Sequence, residues 1–142
     1  MSKLLVPFDG SENSKRALLH AIQWVRAQQT ASIHVVHAHE EPDIYGEIAV
    51  YVSSEKMAAL QRQMSEARLA EAEEVLKSAG VPYTKAVLVG HIAEEIAKCA
   101  SELGCNGIVM GTRGMTAFEG LVMGSVAVKV VHAATVPVTL VK

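Results

Sequence analysis

The sequence alternates between short apolar runs and longer segments in which apolar residues recur at helical spacing. The apolar runs occupy residues 3–8, 32–39, 83–89, 108–110 and 136–141 and have the length of buried parallel strands. The amphipathic segments occupy residues 14–28, 54–78, 92–103 and 125–132 and are predicted helices. Five strands alternating with four helices predict a single α/β domain over residues 1–142, a three-layer sandwich around a five-stranded parallel sheet.

Turn-forming and capping residues mark where several elements begin and end. Ser11 and Asn13 are N-cap candidates for the first helix, and Gly80 predicts the end of the second. Residues 40–52 show no period and are predicted to form a mobile loop or lid. The apolar stripe of the second helix changes side, which predicts a kink or a first half that packs on this lid. The two groups of apolar residues are Met57, Leu60 and Met64, and Leu69, Ala72 and Leu76.

The order of the strands predicts where a ligand would bind. If strands four and five return on the other side of strand one, the order is 3-2-1-4-5, and ligands bind where the winding reverses, between strands one and four. This places Asp9, after strand one, opposite Gly111, after strand four. Asp9 could accept hydrogen bonds from ribose hydroxyls or an adenine amino group; alternatively, it is a turn residue that caps the next helix.

The most informative stretch, residues 107–131, joins the fourth strand to the last helix and reads GIVMGTRGMTAFEGLVMGSVAVKVV. A strand, a glycine-rich loop and a helix N-terminus predict an anion site, because unpaired backbone N–H groups and the helix dipole face the same way. Gly111, Gly114 and Gly124 would allow positive φ and the close approach of a phosphate, and Ser125 is a candidate N-cap. The hypothesis is a cradle for a nucleotide triphosphate; the alternative is a solvated loop whose glycines serve only turns.

Composition and charge narrow the classes of partner. The chain has 142 residues, a formal net charge of −2 at pH 7 and 4% aromatic residues, a composition that does not favour nucleic acid as a partner. No stretch has the length of a membrane span or the form of a signal peptide, so we expect a cytoplasmic protein with no membrane partner.

Cys99 and Cys105 are expected to be reduced. His34, His37 and His39 crowd one strand, where we expect structural roles rather than a metal site.

Over essentially its whole length the sequence resembles the universal stress protein family. The resemblance is carried by VPFDGSENSKRAL near the start, IHVVHAH, GHIAEEIAKCA, the glycine-rich loop and VPVTLVK at the end. The nucleotide-binding branch of the family is marked by G-x2-G-x9-G-S/T, which Gly111, Gly114, Gly124 and Ser125 match. The resemblance therefore implies an adenine nucleotide alpha-hydrolase-like fold that binds ATP.

The resemblance also implies which residues surround the nucleotide. Pro7 and Asp9 would line the adenosine end, and the backbone at Ala38 would read the adenine edge at a position where relatives often have valine. The ribose and phosphates would be surrounded by Met110, Gly111, Thr112, Arg113, Gly114, Gly124, Ser125 and Val126. Arg113 could pair with a phosphate or be a solvated loop arginine. Ile92 stands where many relatives have proline, which bears on the start of the third helix.

The last strand implies a partner. Val136, Val138 and Leu140 alternate along the strand that runs from Val136 to Val141, and an exposed apolar edge strand invites pairing. In the family this strand pairs with its own copy, so we expect a homodimer. The alternative is a monomer whose edge is covered by a loop.

The function implied by the resemblance is that of an ATP-binding stress-response protein that acts as a nucleotide-loaded dimer. Strong catalysis is not expected, because the sequence lacks G-x4-G-K-S/T and with it the P-loop lysine and the Mg²⁺-binding hydroxyl. Slow ATP hydrolysis or autophosphorylation, with Ser125 as one acceptor, stays open. The other hypotheses are a nucleotide-free dimeric adaptor and an enzyme of the nucleotide alpha-hydrolase-like group. Enzymes of that group have a Ser-Gly-Gly-x-Asp-Ser loop, which residues 9–12 of this chain match only in part.

Overall fold

The computed structural model describes residues 2–41, 53–113 and 123–142. The strands are β1 (Ser2–Pro7), β2 (Ala31–His39), β3 (Tyr83–Val89), β4 (Gly107–Gly111) and β5 (Val138–Val141). The helices in these ranges are α1 (Glu12–Arg26), α2 (Ser54–Ala79), α3 (Ile92–Glu102) and α4 (Ser125–Ala133). The five strands form one parallel sheet in the order β3-β2-β1-β4-β5, which confirms the predicted topology.

Two apolar layers, one on each face of the sheet, account for the sandwich. Val6, Leu18 and Leu76 belong to the layer between the sheet and helices α1 and α2. Leu5 and Ile96 belong to the opposite layer, beneath α3 and α4. Adjacent residues of β1 therefore point into different cores, which is why this strand is apolar almost throughout. Each fully buried large side chain contributes about 1.5–3 kcal/mol through removal from water.

Most predicted boundaries lie within two residues of the observed ones, and the differences have local causes. β5 begins at Val138 rather than at Val136; Pro137 has no N–H to donate, although its carbonyl accepts a hydrogen bond from the Ile108 N–H at 2.9 Å. Gly80 ends α2 in the left-handed region with φ 69°, as its position predicted. α3 begins at Ile92, so the lack of proline there does not displace its start.

The first half of α2 carries apolar residues that the core does not use. Leu69, Ala72 and Leu76 are buried against the sheet, whereas Leu60 and Met64 are 51% and 54% exposed. Nearly all of the predicted lid, residues 42–52, lies outside the described residues. α2 is continuous over 26 residues and begins at a serine cap, Ser53, whose hydroxyl accepts the Lys56 N–H at 3.1 Å.

The three histidines of β2 each hold a hydrogen bond through Nδ1. His37 donates to the Phe8 carbonyl at 2.9 Å and His39 to the Glu40 carbonyl at 2.8 Å, while His34 Nδ1 lies 2.6 Å from the Thr84 hydroxyl. Within the described ranges no three His, Cys, Asp or Glu residues are grouped to hold a metal ion. These histidines therefore have structural contacts.

The two cysteines are free thiols, as expected, and burial raises the pKa of both. A raised pKa keeps a thiol protonated and unreactive near neutral pH. In the part of the chain that the structure describes, no helix is both long and apolar enough to cross a bilayer.

Candidate functional site

The carboxyl ends of β1 and β4 lie side by side where the chain reverses its direction of winding. β1 pairs with β2 on one side and with β4 on the other. Asp9 lies two residues after the end of β1, and Gly111 is the last residue of β4. The topology thus puts the acidic turn and the start of the glycine-rich loop at the same edge of the sheet, where open α/β sheets bind ligands.

The turn after β1 uses its own polar groups. Asp9 Oδ1 accepts the Ser11 N–H at 2.9 Å, and the Ser11 hydroxyl accepts the Ser14 N–H at 3.2 Å. Ser11 is the N-cap of α1, as predicted, whereas the other candidate, Asn13, is inside the helix and accepts a hydrogen bond from Arg16. Asp9 is half-buried, and its Oδ2 accepts no hydrogen bond from any described residue. Asp9 is therefore a turn residue, as the alternative interpretation had it, but the cap of α1 is Ser11 and not Asp9.

Arg68 of α2 covers this turn, a contact that the sequence did not indicate. Gly10 has φ 84°, and a Cβ built on it would lie 2.9 Å from Arg68 Nη1. The same nitrogen donates to Glu71 Oε1 at 3.3 Å, one turn further along α2. Gly10 is thus required by its backbone conformation, whereas the Arg68 side chain above it is flexible and could move.

Gly111 serves close packing. A Cβ at Gly111 would lie 2.7 Å from the Asn13 Cβ and 2.9 Å from the Asn13 carbonyl carbon, so only glycine lets the start of α1 approach the end of β4. The expectation of positive φ is wrong for Gly111 and for Gly124, because neither is among the positive-φ glycines of the described residues. Gly114 lies outside the described residues.

Thr112 joins the two ends of the glycine-rich loop. Its side chain is buried, its N–H donates to the Val141 carbonyl at 3.0 Å, and its carbonyl accepts the Gly124 N–H at 2.5 Å. Arg113, the last described residue before the gap at 114–122, is half-buried. Thr112 therefore fixes the start of α4 next to the carboxyl ends of β4 and β5.

At the N-terminus of α4 the cap residue is a glycine, Gly124, with φ −75° and ψ 162°. Among the described residues, no side chain accepts a hydrogen bond from the first turn. Ser125, which the sequence predicted as the cap, is instead the first helical residue and is exposed. A glycine cap leaves first-turn N–H groups without a partner from the helix itself, and these groups together with the helix dipole favour an anion.

A cavity of 540 Å³ opens beside this helix start, between α3 and α4. α3 also lacks a side-chain cap at its N-cap residue, His91. The cavity is lined by the first turn of α3, by Glu40 after β2, and by the side of α4 that carries Ser125, Val126 and Lys129. Its volume lies within the range of small-molecule sites, about 300–1,000 Å³.

Of the predicted site residues that the structure describes, two line this cavity and the others do not. Ser125 and Val126 line it. Ala38 and Met110 pack in the apolar layer beneath α3 and α4, with Met110 only 5% exposed, so its side chain serves the core. Pro7 is half-buried at the end of β1.

Several residues that line the cavity were missed by the sequence reasoning. They are Glu40, His91, Glu94, Lys129 and His132. A signal for Lys129 was present, since it follows Ser125 by four positions and so shares its face of a helix. The residues contributed by α3 and by the end of β2 have no such local signal.

Comparison with known proteins places the chain among relatives of full length. Residues 1–142 match the model of the universal stress protein family. A universal stress protein of Thermus aquaticus is 39% identical over 142 residues, and the alignment covers 98% of this chain and 97% of that protein.

Solved structures show the same fold. The protein MJ0577 of Methanocaldococcus jannaschii superimposes with a TM-score of 0.86 and 26% identity over 99% of this chain and 95% of that one. A universal stress protein in complex with cAMP has a TM-score of 0.68 and 25% identity over 99% and 96% of the two chains. A universal stress protein of Archaeoglobus fulgidus in complex with dAMP has a TM-score of 0.73 and 23% identity, over 100% and 98%.

Proposed function

The chain belongs to the universal stress protein family, and on that premise we propose that it is a stress-response regulator that binds an adenine nucleotide, with ATP as the preferred ligand. One observation carries the proposal. The α4 N-terminus, at the switch point of the sheet, is capped by a glycine whose backbone conformation any residue could adopt. The first-turn N–H groups, which no side chain of the described residues accepts, are where we propose that a phosphate binds.

The adenosine end of the ligand is assigned to the carboxyl ends of β1 and β2. The Oδ2 atom of Asp9 is available to accept a hydrogen bond from a ribose hydroxyl or an amino group. Pro7 and the backbone at Ala38 would complete this end. Two structurally similar family members were solved with cAMP and dAMP, which supports an adenine nucleotide as the class of ligand.

The phosphates are assigned to the two ends of the glycine-rich loop. Backbone groups from Gly124 to Val126 would bind them on the helix side, and those of Met110, Gly111, Thr112, Arg113 and Gly114 on the strand side. Mg²⁺ would accompany ATP as its counterion. The chain lacks the P-loop lysine, so we propose a nucleotide-dependent regulator in the cytoplasm, with at most slow hydrolysis.

The test of the proposal is ATP binding by calorimetry with Mg²⁺, on the wild type and on Gly124→Val. Valine can adopt φ −75° and ψ 162°, so the variant should fold, with a melting temperature within a few degrees of the wild type. Its side chain would occupy the space proposed for a phosphate. We expect an affinity loss of about a hundredfold, as when two charge-assisted hydrogen bonds are prevented. Equal binding by both proteins would contradict the site, and no binding by either would contradict the function.

We also propose that the protein is a homodimer through the last strand. β5 is at one edge of the sheet, and its Val138 and Leu140 are only partly buried. Val128 and Val131 on α4, the helix that leads into β5, are 40% and 45% exposed, so the apolar surface extends beyond the strand. Such an edge favours pairing with a second copy. Sedimentation that finds only a 15.2 kDa species on dilution would contradict the dimer.

A nucleotide-free adaptor is the second candidate, and one observation favours it. Gly111, the first glycine of the motif, is explained by its packing against Asn13 without any ligand. If purified protein gives no response to ATP, ADP or AMP and remains dimeric, the adaptor is the better interpretation.

A further inference from the structure

Lys129 lies one helical turn after Ser125, and both residues line the cavity between α3 and α4. Residues four apart occupy the same face of a helix, and every Cα–Cβ bond points back toward the N-terminus. The stem of Lys129 is therefore directed toward the first turn of α4. A lysine stem of four carbons is long enough to bring its ammonium beside an anion bound at that turn.

The charge of Lys129 has no partner within the described ranges. The ion pairs found there bring together Lys15 with Glu12, Arg68 with Glu71, Lys85 with Glu73, and Lys98 with Glu102. Glu40 and Glu94 line the same cavity as Lys129, yet neither carboxylate is within 4.0 Å of its ammonium. An exposed lysine that forms no ion pair with the two carboxylates lining the same cavity is available to a ligand anion.

The distribution of charge in the cavity favours one orientation of a bound ligand. The cation and the uncapped turn of α4 lie on one side, and Glu40, which follows β2, lies on another. A phosphate is attracted by the first side and repelled by the second, whereas the hydroxyls and amino group of a nucleoside can donate to a carboxylate. The cavity therefore favours a ligand whose anionic group lies at the start of α4, near Lys129 and away from the carboxylates of Glu40 and Glu94.

We propose that Lys129 is a specificity-determining residue that makes the site distinguish nucleotides from nucleosides by pairing with a phosphate bound at the start of α4. This assignment rests on the proposed function. The ammonium acts as a point charge with three donors, so its effect grows with the charge of the phosphate chain and is reduced by salt. The backbone N–H groups provide the position of the phosphate, and Lys129 adds the dependence on charge.

The experiment compares ATP, AMP and adenosine binding by calorimetry in the wild type, Lys129→Gln and Lys129→Arg. Glutamine keeps the stem and removes the charge, so we expect ATP affinity to fall by about tenfold, the effect of one charge-assisted hydrogen bond. AMP affinity should fall less and adenosine affinity should not change. Lys129→Arg should recover most of the ATP affinity. The dependence of ATP binding on ionic strength should also be shallower in Lys129→Gln.

The matched control is Lys98→Gln. Lys98 is an exposed lysine on α3, paired with Glu102 at 4.0 Å, and its loss changes the net charge by the same amount without touching the cavity. It should bind all three ligands like the wild type.

Four outcomes separate the role of Lys129 from the function of the site. Wild-type ATP binding with an unchanged Lys129→Gln variant would overturn the role of Lys129 and leave the function intact. Equal losses for ATP and adenosine would also overturn it, because they indicate packing rather than charge. An equal loss of ATP affinity in Lys98→Gln would also overturn it, because the effect would then come from the net charge of the protein. A wild type that binds none of the three ligands would contradict both the function and this assignment.

Discussion

The turns that follow β1 and β4 lie next to each other at the carboxyl ends of the strands, but their backbone N–H groups differ in whether side chains accept hydrogen bonds from them. In the turn after β1, the side chains of Asp9 and Ser11 accept the N–H groups of Ser11 and Ser14. At the end of the loop after β4, Gly124 has no side chain, and no side chain in the described part of the chain caps the helix. The first turn thus pairs these two N–H groups with its own side chains, whereas the start of α4 has no such side chain among the described residues, and we propose that a ligand binds there.

The glycines in and beside the two turns also differ in the reason for which glycine is present. Gly10 is required by a φ of 84°, and Gly111 by the approach of Asn13. Gly124 has an ordinary backbone conformation. Gly10 is therefore required by its backbone conformation and Gly111 by packing, whereas Gly124 has a backbone conformation that any residue can adopt, and we centre the proposed phosphate site on Gly124.

The largest expected effect is on stability and comes from Gly111→Ala. The new methyl group would lie 2.7 Å from the Asn13 Cβ, so α1 must move away from β4. We expect a loss of about 1–3 kcal/mol in the free energy of unfolding, the usual cost of overpacking. Urea denaturation measures this loss, with Gly124→Ala as the control that should cost less than about 1 kcal/mol. Equal losses in the two variants would remove the distinction between these glycines.

A smaller effect is expected from the two serines. Ser11→Ala removes the α1 cap and should cost about 1 kcal/mol in the free energy of unfolding. Ser125→Ala removes an exposed hydroxyl that caps nothing within the described residues, so its cost should be no more than about 0.5 kcal/mol. Thermal unfolding of the two variants side by side makes the comparison. A larger loss in Ser125→Ala would mean that α4 is capped after all.

The smallest expected effect is on the pH dependence of stability, and it comes from a residue outside both turns, His34 of β2. Burial, and to a lesser extent Lys3, lowers the pKa of His34 below its ordinary value of 6.5. The unfolded chain therefore binds a proton more readily than the folded one, so this contribution to stability is present above pH 6.5 and decreases as the pH falls below it. His34→Gln should flatten the acid side of the stability curve, measured by urea titration at several pH values. An unchanged slope in His34→Gln would contradict the assignment.

The order of the strands could be predicted because local patterns determine it. Continuous apolar strands alternating with amphipathic helices leave few topologies, and right-handed crossovers reduce them further. Gly80 was predicted correctly as a helix end because the left-handed cap is a local requirement. Pro137 delayed the start of β5 for an equally local reason, its missing N–H.

The parts of the site that were not predicted depend on contacts between distant segments. Nothing near Gly10 indicates that Arg68 will cover it, and nothing near Gly111 indicates Asn13. The sequence therefore predicted that the glycines matter but gave the wrong reason for Gly111, which packs closely without positive φ. Likewise, the cavity is formed by α3, α4 and the end of β2, and only the spacing of Ser125 and Lys129 was visible locally.

The most direct test of the difference between the two turns is to follow backbone amide resonances while ATP and Mg²⁺ are added to the isotopically labelled protein. The Ser125 and Val126 amides, in the uncapped first turn of α4, should shift strongly and saturate with the ligand. The Ser14 amide, which the Ser11 hydroxyl already accepts at 3.2 Å, should shift little. Saturable shifts at Ser14 with none at Ser125 and Val126, or no shifts at all, would contradict the account.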